Sequence, residues 1–137
     1  MGNPNNVMMQ KNIHRDMWEL SLIKTVLEKP EYMEQILDVI DPKLLQFHSY
    51  EFSLVLEGKK DAAEIMAISV DESIVALKDE EALHAELVTF LTKYYERELK
   101  KVNIASNISF EEKAFYIRKF RGKIATLKRG ELVTLND

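Results

Sequence analysis

A chain of 137 residues with 46% hydrophobic residues can bury a real core as one domain, or as a small domain with an appendage. No apolar run in it approaches the roughly 20 residues that cross a bilayer, so a membrane-spanning reading is excluded. The lack of cysteine removes disulfides, thiolate metal sites and thiol nucleophiles, and it fits a reducing cytoplasm. The net charge of -4 hides a segregation: Lys93 to Arg129 holds eleven Lys/Arg against four Asp/Glu, net +7, and the rest holds eight against nineteen, net -11.

In chain order, "MGNPNNVMMQKN" lacks the apolar stretch of a signal peptide and reads, over residues 1–14, as a polar linker or tail. The first helix, from about Asp16 to Glu28, spreads Trp18, Leu22, Ile23 and Val26 over a broad arc, with Leu20 and Leu27 on much of the remainder. A surface helix needs one apolar stripe; this one wants neighbours on nearly every side. Pro30 ends it and starts a second helix, Glu31 to Ile40, whose acidic residues suit the positive end of its dipole. Asp41-Pro42 closes that helix. In "SYEFSLVLEG", Ser49 is a candidate N-cap and Gly58 a candidate C-cap around Phe52, Val55 and Leu56.

"KKDAAEIMAISV" predicts another helix with Ile65 and Ile68 inward, and the alternative, a strand over "IMAISV", has no pairing partner. Asp71 can cap what begins at "DESIVAL", and Asp79 can cap the long helix that follows. From about Glu80 to Val102 this helix turns Leu83, Leu87, Phe90 and Tyr94 to one side. Val88, Tyr95, Leu99 and Val102 lie about 100° around the axis, so the rod is expected to serve two packing partners. "NIASN" is a turn, and "SFEE" at Ser109 to Glu112 is a capping box. The last helix runs to about Arg129 and Gly130, with Phe110, Ile117, Phe120, Ile124 and Leu127 as the packing stripe; "ELVTLND" is read as a loose tail. The expected fold is all-α: a helical bundle subdomain over 15–90, then a long helix leading into an antiparallel two-helix hairpin over 91–132, and a tail over 133–137.

Little in the chain supports catalytic or metal chemistry. His14, His48 and His84 are far apart and read as ordinary surface or packing histidines, so no metal set is predicted. Asp79-Glu80-Glu81 and Glu111-Glu112 are explained by helix caps and dipoles, and Gly58-Lys59-Lys60 lacks the pattern of a phosphate loop. No catalytic residue and no cofactor is expected. Two features stand out instead: the basic face of the last helix, Arg118, Lys119, Arg121, Lys123, Lys128 and Arg129, and the aromatic pair Phe115 and Tyr116 lying off the packing stripe. An aromatic among arginines has the composition of an interface hot spot.

Three stretches, "WELSLIKTVLEKPEY", "FHSYEFSLVLEG" and "FEEKAFYIRKFRGKIATLKRGEL", joined by the long helix, give the chain an order of parts that resembles the C-terminal helicase-binding domain of bacterial DnaG-type primase, over about Asp16 to Leu132. The stretch from Lys59 to Asp79 carries no residue specific to that family. The resemblance implies a non-catalytic module that docks primase on the ring-shaped replicative helicase (DnaB type) and modulates activity at the fork. It also implies priming chemistry in other domains and a second partner, the acidic tail of single-strand-binding protein. On this reading the helicase contacts are Phe115, Tyr116, Arg118, Lys119, Arg121 and Lys123. The rivals are the N-terminal domain of a replicative helicase, a basic hairpin binding nucleic acid directly, and a small helical enzyme. The net -11 of the rest of the chain opposes nucleic acid, and direct binding is expected to be weak or absent.

Overall fold

The computed structural model describes residues 17–135; the predicted linker with His14, the start of the first helix at Asp16 and the last two residues lie outside them. Six α-helices follow one another among the described residues: α1 (residues 17–28), α2 (Met33–Val39), α3 (Ser49–Leu56), α4 (Ala63–Val70), α5 (Glu80–Ile104) and α6 (Phe110–Lys128). Two 3-10 turns, Pro30–Tyr32 and Pro42–Leu44, each start on a proline, which has no N–H to leave unsatisfied at a first turn. There is no strand among the described residues, and "IMAISV" lies within α4. The chain divides into two compact units, one through Lys78 and one from Asp79.

In the first unit α1 has the neighbours its sequence calls for. Leu22, Ile23, Lys24, Thr25 and Val26, five consecutive residues covering all sides of the helix, are all buried. The apolar members meet a core that includes Ile36, Val39, Ile40, Leu45, Phe52, Val55, Ile65, Ile68 and Ile74. The polar members bind backbone. Lys24 Nζ donates to the Asp71 carbonyl at 2.7 Å, the Thr25 hydroxyl accepts from the Leu77 amide at 2.7 Å, and Lys29 Nζ donates to the Lys78 carbonyl at 2.7 Å. Two polar side chains of α1, with Lys29 just beyond its end, thus hold the segment 71–78 along its length. That segment is not helical: Asp71 turns its carboxylate onto the Ser73 amide and hydroxyl at 2.9 and 2.6 Å, a local turn that competes with helix initiation.

The Ser73 hydroxyl and amide, both donating to the Asp71 carboxylate, hold its pKa below the ordinary carboxylate value. A depressed native pKa contributes stability above the unfolded-state pKa, and that contribution is lost as pH falls through the native value. Ser73→Ala is expected to raise the Asp71 carboxyl titration toward the ordinary range, read from the side-chain carboxyl carbon by NMR. A midpoint that does not move would show that the hydroxyl is not the cause.

The start of α3 departs from expectation. Ser49 is the first helical residue rather than the cap, and His48, at the cap position, makes no side-chain capping bond to the helix. The approach to α3 is instead held from α1 by Glu19, which is 2% exposed. Its carboxylate accepts three consecutive amides, Gln46 at 2.9 Å, Phe47 at 3.0 Å and His48 at 2.8 Å. Leu54, rather than Leu56, joins Phe52 and Val55 in the core. At its other end α3 stops as predicted. Gly58 takes φ 77°, its amide donates to the Val55 carbonyl at 3.0 Å and the Lys59 amide to the Leu54 carbonyl at 2.9 Å, the paired bonds of a Schellman cap.

The second unit is a helical hairpin. Asp79 caps α5 by accepting from the Ala82 amide at 2.8 Å, and Ser109 caps α6 by accepting from the Glu112 amide at 3.1 Å, the hydroxyl half of the predicted box. Asn103 and Ile104 belong to the last turn of α5 rather than to the connection. Gly130, with φ 83°, closes α6 through the Gly130 amide to Leu127 at 2.9 Å and the Glu131 amide to Thr126 at 3.3 Å. The two helices run antiparallel, since His84 Nε2 lies 2.8 Å from the Gly130 carbonyl near one end while the Tyr95 and Phe120 rings pack 5.9 Å apart in the middle. A carbonyl only accepts, which places the His84 proton on Nε2. Val133, read as part of a loose tail, is buried.

The buried residues of α5 are Leu83, Leu87, Leu91 and Tyr95, one series at intervals of four. Each step advances about 40°, so the series rotates by about 120° along the helix. The rotation follows the sequence pattern, but Leu91, missing from both predicted faces, lies on it, while Phe90 and Tyr94 are only half-buried.

Candidate functional site

The candidate site is the outward side of α6. At 100° per residue Phe115, Arg118 and Lys119 fall within an arc of about 100°, with Arg121 about 60° beyond its edge. All four are exposed, Phe115 at 60%. Among the described residues no carboxylate lies within ion-pair distance of Arg118, Lys119 or Arg121, so their charges face solvent. Tyr116 is 39% exposed and stands between surface and interior. Its ring meets Phe115 edge-on at 5.4 Å and stacks on Phe120 at 6.1 Å. Phe120 continues to Tyr95, and Tyr95 meets Tyr94 edge-on at 5.1 Å. Five rings therefore run from the exposed face through the hairpin, each pair within the separation at which aromatic contacts are favourable.

Lys123 is the exception among the predicted contact residues. It is only 8% exposed, with Nζ 3.4 Å from the Tyr95 hydroxyl and 4.9 Å from the centre of the Tyr95 ring. A cation over a ring face with a hydroxyl oxygen to accept its hydrogen bond can be held away from water. Lys123 is thus part of the seam between α5 and α6, and the structure removes it from the open basic face. It lies in the sequence run of basic residues, and only its position about 140° from Arg118, on the side of Leu127, could have signalled inward placement.

Phe110 moves the other way. Expected to pack within the hairpin, it is 85% exposed. It is the first residue of α6, where the Cα–Cβ bond tilts toward the N-terminus and carries the ring past the end of the helix. Ile104, the last residue of α5, is 83% exposed, so the hairpin tip carries two large apolar side chains that sequence periodicity assigned to a stripe or to a turn. Ile117 and Phe120 are half-buried, and Ile124 and Leu127 are buried as expected.

Two of the other titratable residues have structural partners. His48 Nδ1 lies 3.2 Å from Glu51, and Asp79 is spent on its cap. No cluster of three metal-ligating side chains occurs among the described residues, and none of their helices is long and apolar enough to cross a membrane.

An all-helical chain ending in an antiparallel hairpin, with an aromatic and basic strip open on its last helix, has the form of a helical interaction domain. Over residues 16–134 the sequence matches the family described as DnaG-primase C-terminal, helicase-binding domain, and the chain belongs to that family. It is 27% identical over 117 residues, 85% of its length, to the DNA primases of Helicobacter pylori strains J99 and 26695. The match spans about a fifth of those proteins, 20% of each. The fold matches the crystal structure of the Helicobacter pylori DnaG primase C-terminal domain with a TM-score of 0.78 at 26% identity, covering 88% of this chain and 97% of that one.

Proposed function

We propose that this chain docks a DnaG-type primase onto its replicative helicase through the outer face of α6, and that priming chemistry is carried by the remainder of the primase. Membership of the helicase-binding family supports the partner. The single observation that supports the face is the exposed Phe115 among three basic side chains that form no ion pair among the described residues, backed by a ring ladder that fixes its position. Phe115 supplies an apolar anchor of the kind that dominates interface energy, and Arg118, Lys119 and Arg121 supply charge that guides an acidic partner surface into register. Tyr116 and Lys123 hold the strip from behind.

Binding of the whole chain to the isolated N-terminal domain of the cognate helicase tests the reading. Phe115→Ala and Arg121→Glu are each expected to weaken capture by about tenfold, the size of a modest hot spot. Their circular dichroism melting curves should overlay that of the parent, since both side chains lie outside the core. Unchanged dissociation constants for both variants would rule out this face, and a loss confined to Phe110→Ala would move the contact to the hairpin tip.

A further inference from the structure

Gly122 lies inside α6, more than a full turn from either end. No residue but proline is less favourable there, because glycine loses the most main-chain freedom on entering a helix. Nothing within the fold accounts for it. Among the described residues only Gly58 and Gly130 have positive φ, so Gly122 keeps the ordinary helical backbone. The Thr126 hydroxyl donates to the Gly122 carbonyl at 3.1 Å, a bond to a main-chain oxygen that any residue would offer. Apart from its two chain neighbours and the backbone of its own turns, a Cβ at this position would meet nothing within 4 Å, so no packed element requires the gap.

The gap opens outward, within the strip that carries Phe115. Gly122 is exposed. At 100° per residue it lies about 20° around the axis from Phe115, two turns earlier, while Arg118 and Lys119, one turn earlier, stand about 40° to one side of it and about 60° to the other. We infer that Gly122 is the point at which the main chain of the helicase comes closest to α6, an inference that rests on the outer face of α6 being the docking face. The separation of packed helices is set by the side chains at their crossing, so a missing Cβ lets a partner helix lie nearer the α6 axis. From there Phe115 reaches the partner to its full length, and Arg118 and Lys119 straddle the crossing. The segment that fits is a helix with carboxylates on both edges of its contact line, since each edge meets a basic side chain with no ion pair among the described residues.

Capture of the whole chain by the isolated N-terminal domain of the cognate helicase, measured beside thermal unfolding, separates this role from a structural one. Gly122→Ala is expected to raise the melting temperature by about 2–5 °C, since alanine favours the helix, and yet to weaken capture about threefold. Gly122→Leu, which puts a bulkier side chain into the same open space, should weaken capture at least tenfold with the circular dichroism spectrum unchanged. Opposite signs for stability and binding are what a close-approach glycine produces and a structural one does not. A Gly122→Leu chain that binds like the parent, while Phe115→Ala weakens capture, overturns the inference and leaves the docking face standing. A Gly122→Ala chain that loses stability and capture together assigns the glycine to the folding of α6 and overturns it as well. If neither Phe115→Ala nor Gly122→Leu alters capture, the docking face and the inference fall together.

Discussion

Glu19→Ala is expected to destabilise the first unit by about 3–5 kcal/mol, because it removes the acceptor of three amides at one stroke and each buried donor left unpaired costs roughly 1–3 kcal/mol. The carboxylate is 2% exposed and holds Gln46, Phe47 and His48 at 2.8 to 3.0 Å. Water reaches part of the 46–48 segment, since Gln46 and Phe47 are exposed, which keeps the total below the sum of three full penalties. Glu19→Gln keeps the shape but leaves one acceptor oxygen, so it should fall between the parent and the alanine variant. Urea unfolding followed by circular dichroism measures both. A Glu19→Ala protein within 1 kcal/mol of the parent would mean that the loop finds its own solvation and that Glu19 does not hold α3 in place.

Two phenylalanines supply the other large contrast. Phe52→Ala should cost about 3–5 kcal/mol, the usual loss for emptying a fully buried aromatic site, since Phe52 is 0% exposed. Phe110→Ala should fall within about 0.5 kcal/mol of the parent, because at 85% exposure there is little burial to lose. Periodicity assigns both rings to packing, so the pair tests the structure against the pattern directly. Equal destabilisation by the two substitutions would contradict the placement of Phe110 at the open tip.

The hairpin has the construction a docking strip requires. A flexible exposed ring loses entropy when it is captured, whereas one already positioned by its neighbours loses less. Phe115 is the outermost of five rings, and the innermost contacts involve Tyr95, which is 5% exposed and carries the Lys123 ammonium on its face. In the proposed function the core of the hairpin sets the geometry and the outer face meets the partner, so substitutions at Lys123 should act through stability and those at Arg118 through binding.

Local chemistry made much of the fold legible. Asp79 and Ser109 start α5 and α6, Gly58 and Gly130 end α3 and α6, and Pro30 and Pro42 open the 3-10 turns, because caps and breakers act within a few residues of themselves. The unusual breadth of the apolar arc on α1 was also enough to require that helix to be surrounded. The sequence could not say which residues would do the surrounding. Glu19 reads as a solvated acid until the chain brings residues 46–48, about thirty positions away, onto its carboxylate, and Lys24, Thr25 and Lys29 acquire their backbone partners across about fifty. Lys123 reads as one more charge on a basic helix until Tyr95 arrives beside it, and Phe110 reads as packing until its place at the first position of α6 leaves the ring beyond the helix end. Where a cap or a breaker acts, a helix end follows from interactions within a turn or two of the chain, and the sequence determines it. Whether a given charged or aromatic side chain is buried follows from contacts distant in sequence, and only the tertiary structure decides those.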